Sequence, residues 1–266
     1  MCNKSEKKRV FITGVSRGIG RAIAEIFLKN GYELFGTFLS SEQKAEELVK
    51  EYGSENVTLF GPYDFSDLSQ TQQLVDRLKE FSFDSLICSA GMFSVNDDFN
   101  NFDLEDFNNV MYCNFYTPLI ISIGLKECIK DNGSIVLMSS NDIFSGAYSS
   151  ISYSISKSAL ICLMKCLCVN FGSRNVRVNS VAPGDIDTDM NTPEQMNIAP
   201  YFAPVSRAGK PVDVAKVVYF LASDEASFIS GENITIDGGY SVVSILLKSE
   251  ADSDLSENLQ GFIRSI

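Results

Sequence analysis

The glycine-rich stretch Thr13-Gly14-Val15-Ser16-Arg17-Gly18-Ile19-Gly20 limits what this chain can fold into more than any other segment. The β-forming run Arg9-Val10-Phe11-Ile12 precedes it, and Arg21-Ala22-Ile23-Ala24-Glu25-Ile26-Phe27-Leu28 follows with helical apolar spacing. A strand that turns on glycines directly into a helix aims the helix's unsatisfied N–H groups, and the positive end of its dipole, at whatever lies over the turn. A nucleotide phosphate suits that place. Gly14 serves the tight turn, Gly18 lets the backbone approach a pyrophosphate, and Gly20 lets the helix lie against its strand. An ordinary Gly-rich turn is the alternative; the strand before it and the helix after it favour the phosphate reading.

The rest of the chain alternates in the same way. Strands are expected over 33–39, 56–61, 84–88, 134–138, 176–181 and 233–236. Between them, helices are expected over 43–52 (ended by Gly53), from Ser66 or Asp67 to 78, over 104–130 with an interruption at Pro118, over 152–171, and over 212–222. Residues 183–210, with four of the seven prolines, read as irregular. Apolar strands separated by helices predict an α/β chain: a single-domain Rossmann fold, a doubly wound parallel sheet of about seven strands with helices on both faces. The domain spans 1–240. A 241–266 extension follows, with a polar, acid-rich part expected to be disordered and a terminal apolar cluster that could dock on a neighbouring subunit or partner.

Composition narrows the chemistry. A net charge of −12 disfavours nucleic acid and anionic membrane surfaces as partners. The absence of histidine removes Ser-His-Asp and Cys-His sites and every His-containing metal site; no metal is expected. Acid–base work falls to Tyr, Lys, Asp, Glu or Cys. The seven cysteines are odd in number, without a C-x-x-C pair, and most lie in apolar runs, which predicts buried free thiols in a reducing, cytoplasmic setting. The charged N-terminus lacks a signal-peptide apolar region, and no stretch reads as long and apolar enough to span a membrane.

Tyr153-Ser154-Ile155-Ser156-Lys157 places a phenol and an ammonium at i and i+4 on one helix face. A nearby ammonium lowers a phenol's pKa, making the pair a proton donor and acceptor; alone, it could equally be two surface side chains. Ser140 follows an apolar strand directly, and the carboxyl ends of such strands line the ligand crevice in open α/β sheets.

With these residues together, the sequence resembles the classical short-chain dehydrogenase/reductases over about residues 8–240. It carries T-G-x-x-x-G-I-G at Thr13–Gly20, Asp64 after the third strand, Asn114, Ser140, the Y-x-x-x-K pair, Pro183-Gly184, and the closing Arg207-x-Gly209-x-Pro211 and Asp237-Gly238-Gly239 segments. The resemblance implies an NAD(P)-dependent oxidoreductase that reduces a carbonyl to an alcohol by hydride transfer. Tyr153 would be general acid, and Lys157 would lower its pKa and bind the nicotinamide ribose. Ser140 would orient the carbonyl, and Asn114 would hold a water that relays protons. The cofactor would lie against Gly14, Ser16, Arg17, Gly18, Ile19, Gly20, Ser40, Asp64, Phe65, Ser89, Ala90, Gly91, Pro183, Gly184, Ile186 and Thr188, with Asp64 on the adenine or merely shaping its turn. Two departures stand out. Cys88-Ser89-Ala90-Gly91 replaces the usual N-N-A-G, and Asp185 follows Pro-Gly, facing either substrate or solvent.

The second strand ends without an acid until Glu42, while Arg17 lies in the glycine turn, so NADP(H) is expected ahead of NAD(H). Asp185, Met190 and Tyr201 are the substrate-side candidates in a loop over 185–210. The general look is closest to the 3-oxoacyl-[acyl-carrier-protein] reductases, and Lys126, Lys130 and Arg174 either form a basic patch for an acidic carrier or are simply solvated. A free alcohol, sterol or sugar carbonyl is the alternative substrate, and a cofactor-binding regulatory protein the alternative class. Relatives pair through their long helices; the nearly all-apolar face of 158–170 predicts a homotetramer, with a dimer next.

Overall fold

The computed structural model describes residues 7–94, 97–146 and 148–244. Seven strands form one sheet: β1 (Arg9–Ile12), β2 (Glu33–Thr37), β3 (Val57–Phe60), β4 (Phe83–Cys88), β5 (Ile129–Met138), β6 (Arg177–Pro183) and β7 (Asn233–Ile236). All pairs are parallel, in the order β3-β2-β1-β4-β5-β6-β7. The chain leaves β1 in one direction and returns to β1's other edge as β4, so a crevice opens between the ends of β1 and β4.

Helices cover both faces because the strands bury alternate residues on opposite sides. In β1, Phe11 enters a core with Phe35, Phe83, Leu86, Ile135, Leu160 and Met164, while Val10 and Ile12 enter a second core with Ile23, Phe27, Leu34, Val136 and Val218. The first core lies beneath α3 (Leu68–Leu78), α5 (Thr117–Gly124) and α6 (Ile151–Phe171). The second lies beneath α1 (Gly18–Lys29), α2 (Glu42–Tyr52) and α8 (Pro211–Ala222).

Four expectations change. The helix expected over 104–130 is α4 (Leu104–Met111), a π-helical turn at Tyr112–Tyr116, then α5, and β5 begins at Ile129. Pro118 has no N–H to return to the carbonyl four residues back, which favours the wider turn just before it. The stretch 183–210 contains a helix, α7 (Pro193–Phe202), started by a capping box in which Thr192 accepts from the Gln195 N–H and Gln195 accepts from the Thr192 N–H. Cys88, Cys113 and Cys128 are buried free thiols, but Cys162 and Cys166 on α6 are exposed and Cys168 is half-buried. Finally, Ile151–Arg174 does meet the length and hydropathy of a membrane span, with 24 residues and mean hydropathy 1.4. In the fold it lies on the sheet, burying one stripe (Leu160, Leu163, Met164, Leu167) and exposing Ile155 and Val169. The extension from residue 245 onward lies outside the described residues.

Candidate active site

The glycine turn closes over the ends of β1, β2 and β4. Gly14 and Gly18 take φ of +79° and +58°, which side-chain-bearing residues rarely adopt. At Gly20 a Cβ would sit 2.1 Å from the Gly14 carbonyl oxygen, so only glycine lets α1 start this close to the turn. No side chain caps α1 and its first turn carries no acid, which leaves its leading N–H groups facing outward. Such a cradle fits the pyrophosphate of a dinucleotide. Ser16, Arg17 and Ile19 occupy the turn and the first helical residues.

Thr13 answers the question raised by Cys88-Ser89. It is 2% exposed, and its Oγ1 accepts from both the Ser89 and Ala90 N–H groups at 2.9 Å. This ties the end of β4 to the end of β1 without side-chain amides. Ala90 then closes on Gly14, whose Cβ would lie 3.2 Å from the Ala90 Cα. Gly91 faces Asn114 Oδ1 and Lys157 Nζ, each 3.4 Å from where its Cβ would be.

Ser140, Tyr153 and Lys157 meet at the same end of the sheet. Ser140 is 6% exposed beyond β5 and accepts from the Asp142 N–H at 3.2 Å. Lys157, 3% exposed, donates to the Met138 carbonyl at 2.8 Å and stands 5.4 Å from the Tyr153 ring centre. Burial holds the Tyr153 phenol well above its usual range; the Asp142 charge adds to this and the Ser140 hydroxyl opposes it. Burial also brings the Lys157 ammonium from 10.5 down to about 8. Burial is the largest of these influences on the phenol.

Asn114 sits in the π-helical turn. Its Oδ1 accepts from the Met92 N–H at 2.8 Å, and its Nδ2 donates to the Met92 carbonyl and to Ser156 Oγ at 3.0 and 3.1 Å. The side chain joins the π-helical turn to the segment after β4 and to α6.

Asp97, which the sequence reading missed, is 2% exposed and caps α6: its carboxylate accepts from the Ser152 N–H and Oγ at 2.8 and 2.6 Å and from the Tyr153 N–H at 3.3 Å. It lies more than fifty residues upstream of the helix it caps, in a polar loop with no local pattern. Phe93, also missed, meets the Tyr153 ring edge-on at 5.6 Å.

On the cofactor side, Asp64 Oδ1 accepts from the Ser66 N–H and hydroxyl at 2.9 and 2.7 Å, the turn-shaping arrangement weighed above. The Phe65 ring is buried in the core, and Ser40 is exposed beyond β2. Arg17 and Lys44, the latter overlooked in the sequence, converge on Asp189 Oδ2 at 3.4 and 4.0 Å. The loop after β6 lies across the glycine turn: the Thr188 methyl is 3.5 Å from where a Gly18 Cβ would be, and Ile186 is buried against Gly209. Pro183 ends β6, and Gly184 fits only because a Cβ there would press on Asp237.

Asp185 lines a cavity of about 150 Å³ with Ala199, Val205, Arg207, Asp237 and Tyr240. Met190 and Tyr201 do not line it; they are 52% and 47% exposed. Of the possible basic patch, Lys130 pairs with Asp84 at 3.1 Å and Arg174 with Asp131 at 2.7 Å.

Residues 14–241 match a family model described as "Enoyl-(Acyl carrier protein) reductase". Versicolorin reductase stcU of Emericella nidulans is 33% identical, with 87% of this chain and 95% of the relative covered. The 3-oxoacyl-[acyl-carrier-protein] reductase FabG of Aquifex aeolicus is 35% identical, over 89% and 98%. Among solved structures, BdcA in complex with NADPH superposes with a TM-score of 0.78 at 30% identity, covering 87% of this chain and 93% of that one.

Proposed function

This chain belongs to the classical short-chain dehydrogenase/reductase family of oxidoreductases, and we propose that it is an NADPH-dependent reductase converting a ketone or 3-oxoacyl thioester to the alcohol. The observation that carries this reading is the meeting of Tyr153 and the buried Lys157, both on α6, with the buried Ser140 beyond β5, at the end of the sheet that holds the glycine turn. A nicotinamide cofactor held with its pyrophosphate on the glycine turn, Gly14 to Gly20, would supply a hydride for the carbonyl carbon. Ser140 and Tyr153 hold the carbonyl oxygen by their hydroxyls. Tyr153 passes its proton to that oxygen as negative charge develops, and the Lys157 ammonium stabilises the phenolate left behind. Asn114 keeps Lys157's surroundings ordered through Met92 and Ser156, next to the route by which a water would return the proton.

Preference for NADP(H) over NAD(H) is supported by Arg17 and Lys44, two cations held beside the glycine turn by Asp189, and by the residues after β2, Phe38 to Ser41, which carry no acid to grip a ribose diol. A structural relative was solved with NADPH. A homotetramer, with a dimer next, fits the exposed Ile155, Cys162, Cys166 and Val169 of α6, and Val212 and Phe220 of α8. Unpaired thiols fit a cytoplasmic location.

The test is NADPH oxidation with a β-ketoester, an acyl-carrier thioester, a steroid and a sugar. Tyr153→Phe is expected to lose at least about a hundredfold in kcat while keeping NADPH affinity. An active phenylalanine variant would overturn the assignment.

A further inference from the structure

Two aspartates follow the strand ends beside Ser140 and Pro183-Gly184, and the assembly of Ser140, Tyr153 and Lys157 requires neither. β5 and β6 run parallel with Met138 opposite Val181. Each strand is followed, four residues beyond that pair, by an aspartate: Asp142 and Asp185. The two segments touch, since a Cβ on Gly184 would lie 3.2 Å from Asn141 Nδ2.

Asp142 is located by the residue that faces the substrate oxygen, through its own N–H on Ser140 Oγ. Asp185 lines the adjoining cavity with Asp237 and Tyr240. The Asp142 charge acts on Tyr153, Asp185 and Tyr240, and burial raises both carboxyls above the usual carboxylate range.

Asp142 has the Ser140 hydroxyl and the Lys157 ammonium beside it, whereas Asp185 meets burial and the Asp142 charge. Asp237 is already engaged by the Gly239 and Ser241 N–H groups. Among the described residues, the cation acting on Asp142 is Lys157, whose ammonium donates to the Met138 carbonyl. Arg207, on the wall beside Asp185, is paired with Asp213 at 2.7 Å. An anionic substituent entering here meets two carboxylates in a partly desolvated cleft, whereas a hydroxyl or ammonium meets two acceptors.

We propose that Asp142 and Asp185 determine specificity, selecting carbonyl substrates with a hydrogen-bond donor, hydroxyl or ammonium, on the carbon beside the carbonyl, and rejecting those with a carboxylate there. This rests on the carbonyl-reductase reading above.

The test is kcat/KM with NADPH for four methyl ketones that differ only beside the carbonyl: butanone, hydroxyacetone, aminoacetone and pyruvate. The wild-type protein should favour hydroxyacetone over both butanone and pyruvate by at least about tenfold. In Asp142→Asn, Asp185→Asn and the double variant, the preference for hydroxyacetone over pyruvate should fall by at least about tenfold, a loss of about 1.4 kcal/mol in discrimination. A larger fall for aminoacetone than for hydroxyacetone identifies the ammonium as the preferred donor; the reverse identifies the hydroxyl.

Wild-type protein that reduces pyruvate as well as hydroxyacetone overturns the proposal, whether or not the variants fold. Ratios unchanged in folded variants overturn it as well, while butanone turnover that disappears in Tyr153→Phe leaves the reductase reading standing. Failure of all four ketones, together with the β-ketoester, overturns both.

Discussion

Replacing Thr13 by valine keeps the side chain's shape and removes one oxygen. That oxygen accepts two backbone N–H groups, from Ser89 and Ala90, each at 2.9 Å, and Thr13 itself is 2% exposed. A buried N–H left without an acceptor costs about 1–3 kcal/mol. Ser89 and Ala90 are half-buried, so water can reach them in part and each loss falls near the lower end. The sum for two groups is about 2–3 kcal/mol. For a domain of this size, 1 kcal/mol moves the melting temperature by about 2–4 °C, giving an expected fall of about 5–10 °C. Thr13→Ser, which keeps the oxygen, should recover most of that loss. Because Ala90 touches Gly14, the valine variant should also bind NADPH more weakly than the serine variant. The assay is thermal unfolding followed by circular dichroism, with cofactor affinity from nucleotide fluorescence. A valine variant melting within about 2 °C of wild type would refute the argument that this oxygen pins β4 to β1.

Three other substitutions probe the electrostatics. Lys157 is held at about 8, below its ordinary 10.5, so the unfolded chain binds more protons between those values and wild-type stability rises as pH climbs through that window. At pH 7 the protonated, buried ammonium is a net cost; Lys157→Met should therefore abolish turnover yet stabilise the fold by about 2 kcal/mol once the orphaned Met138 carbonyl is counted, a gain that shrinks towards pH 10.5. Thermal melts at pH 7 and pH 10 check the sign. Arg17→Ala should raise KM for NADPH several-fold and leave that for NADH unchanged, whereas Asp189→Asn, which frees Arg17 and Lys44, should lower it. Equal effects on both cofactors would remove Arg17 from the 2′-phosphate site.

Most of the architecture was legible because it rests on short-range pattern. Apolar runs of strand length, capped by glycine or serine and separated by helical periodicity, do not depend on distant residues. The strand over 233–236 and the helix end at Gly53 came out where the pattern put them. The errors came from places where local signals compete. Residues 104–130 have continuous apolar periodicity, which hides the π-helical turn before Pro118 and the early start of β5. The capping box at Thr192 and Gln195 was readable and was outweighed by the prolines around it.

What the sequence by itself determined is the strand-turn-helix at Thr13–Gly20, the parallel sheet, and the spacing of Tyr153 and Lys157 on one helix face, because each follows from backbone geometry over a few residues. Tertiary structure decided everything that depends on burial or on partners far along the chain. Burial raises the proton affinity of the Tyr153 phenol, which the spacing of Tyr153 and Lys157 does not reveal. Thr13 holds β4 across more than seventy intervening residues, and Asp97 caps a helix more than fifty residues away. Asp142, unremarked in its own loop, becomes a neighbour of Asp185 because β5 and β6 lie side by side in register. Dielectric environment and strand register are properties of the folded chain, and no window of sequence contains them.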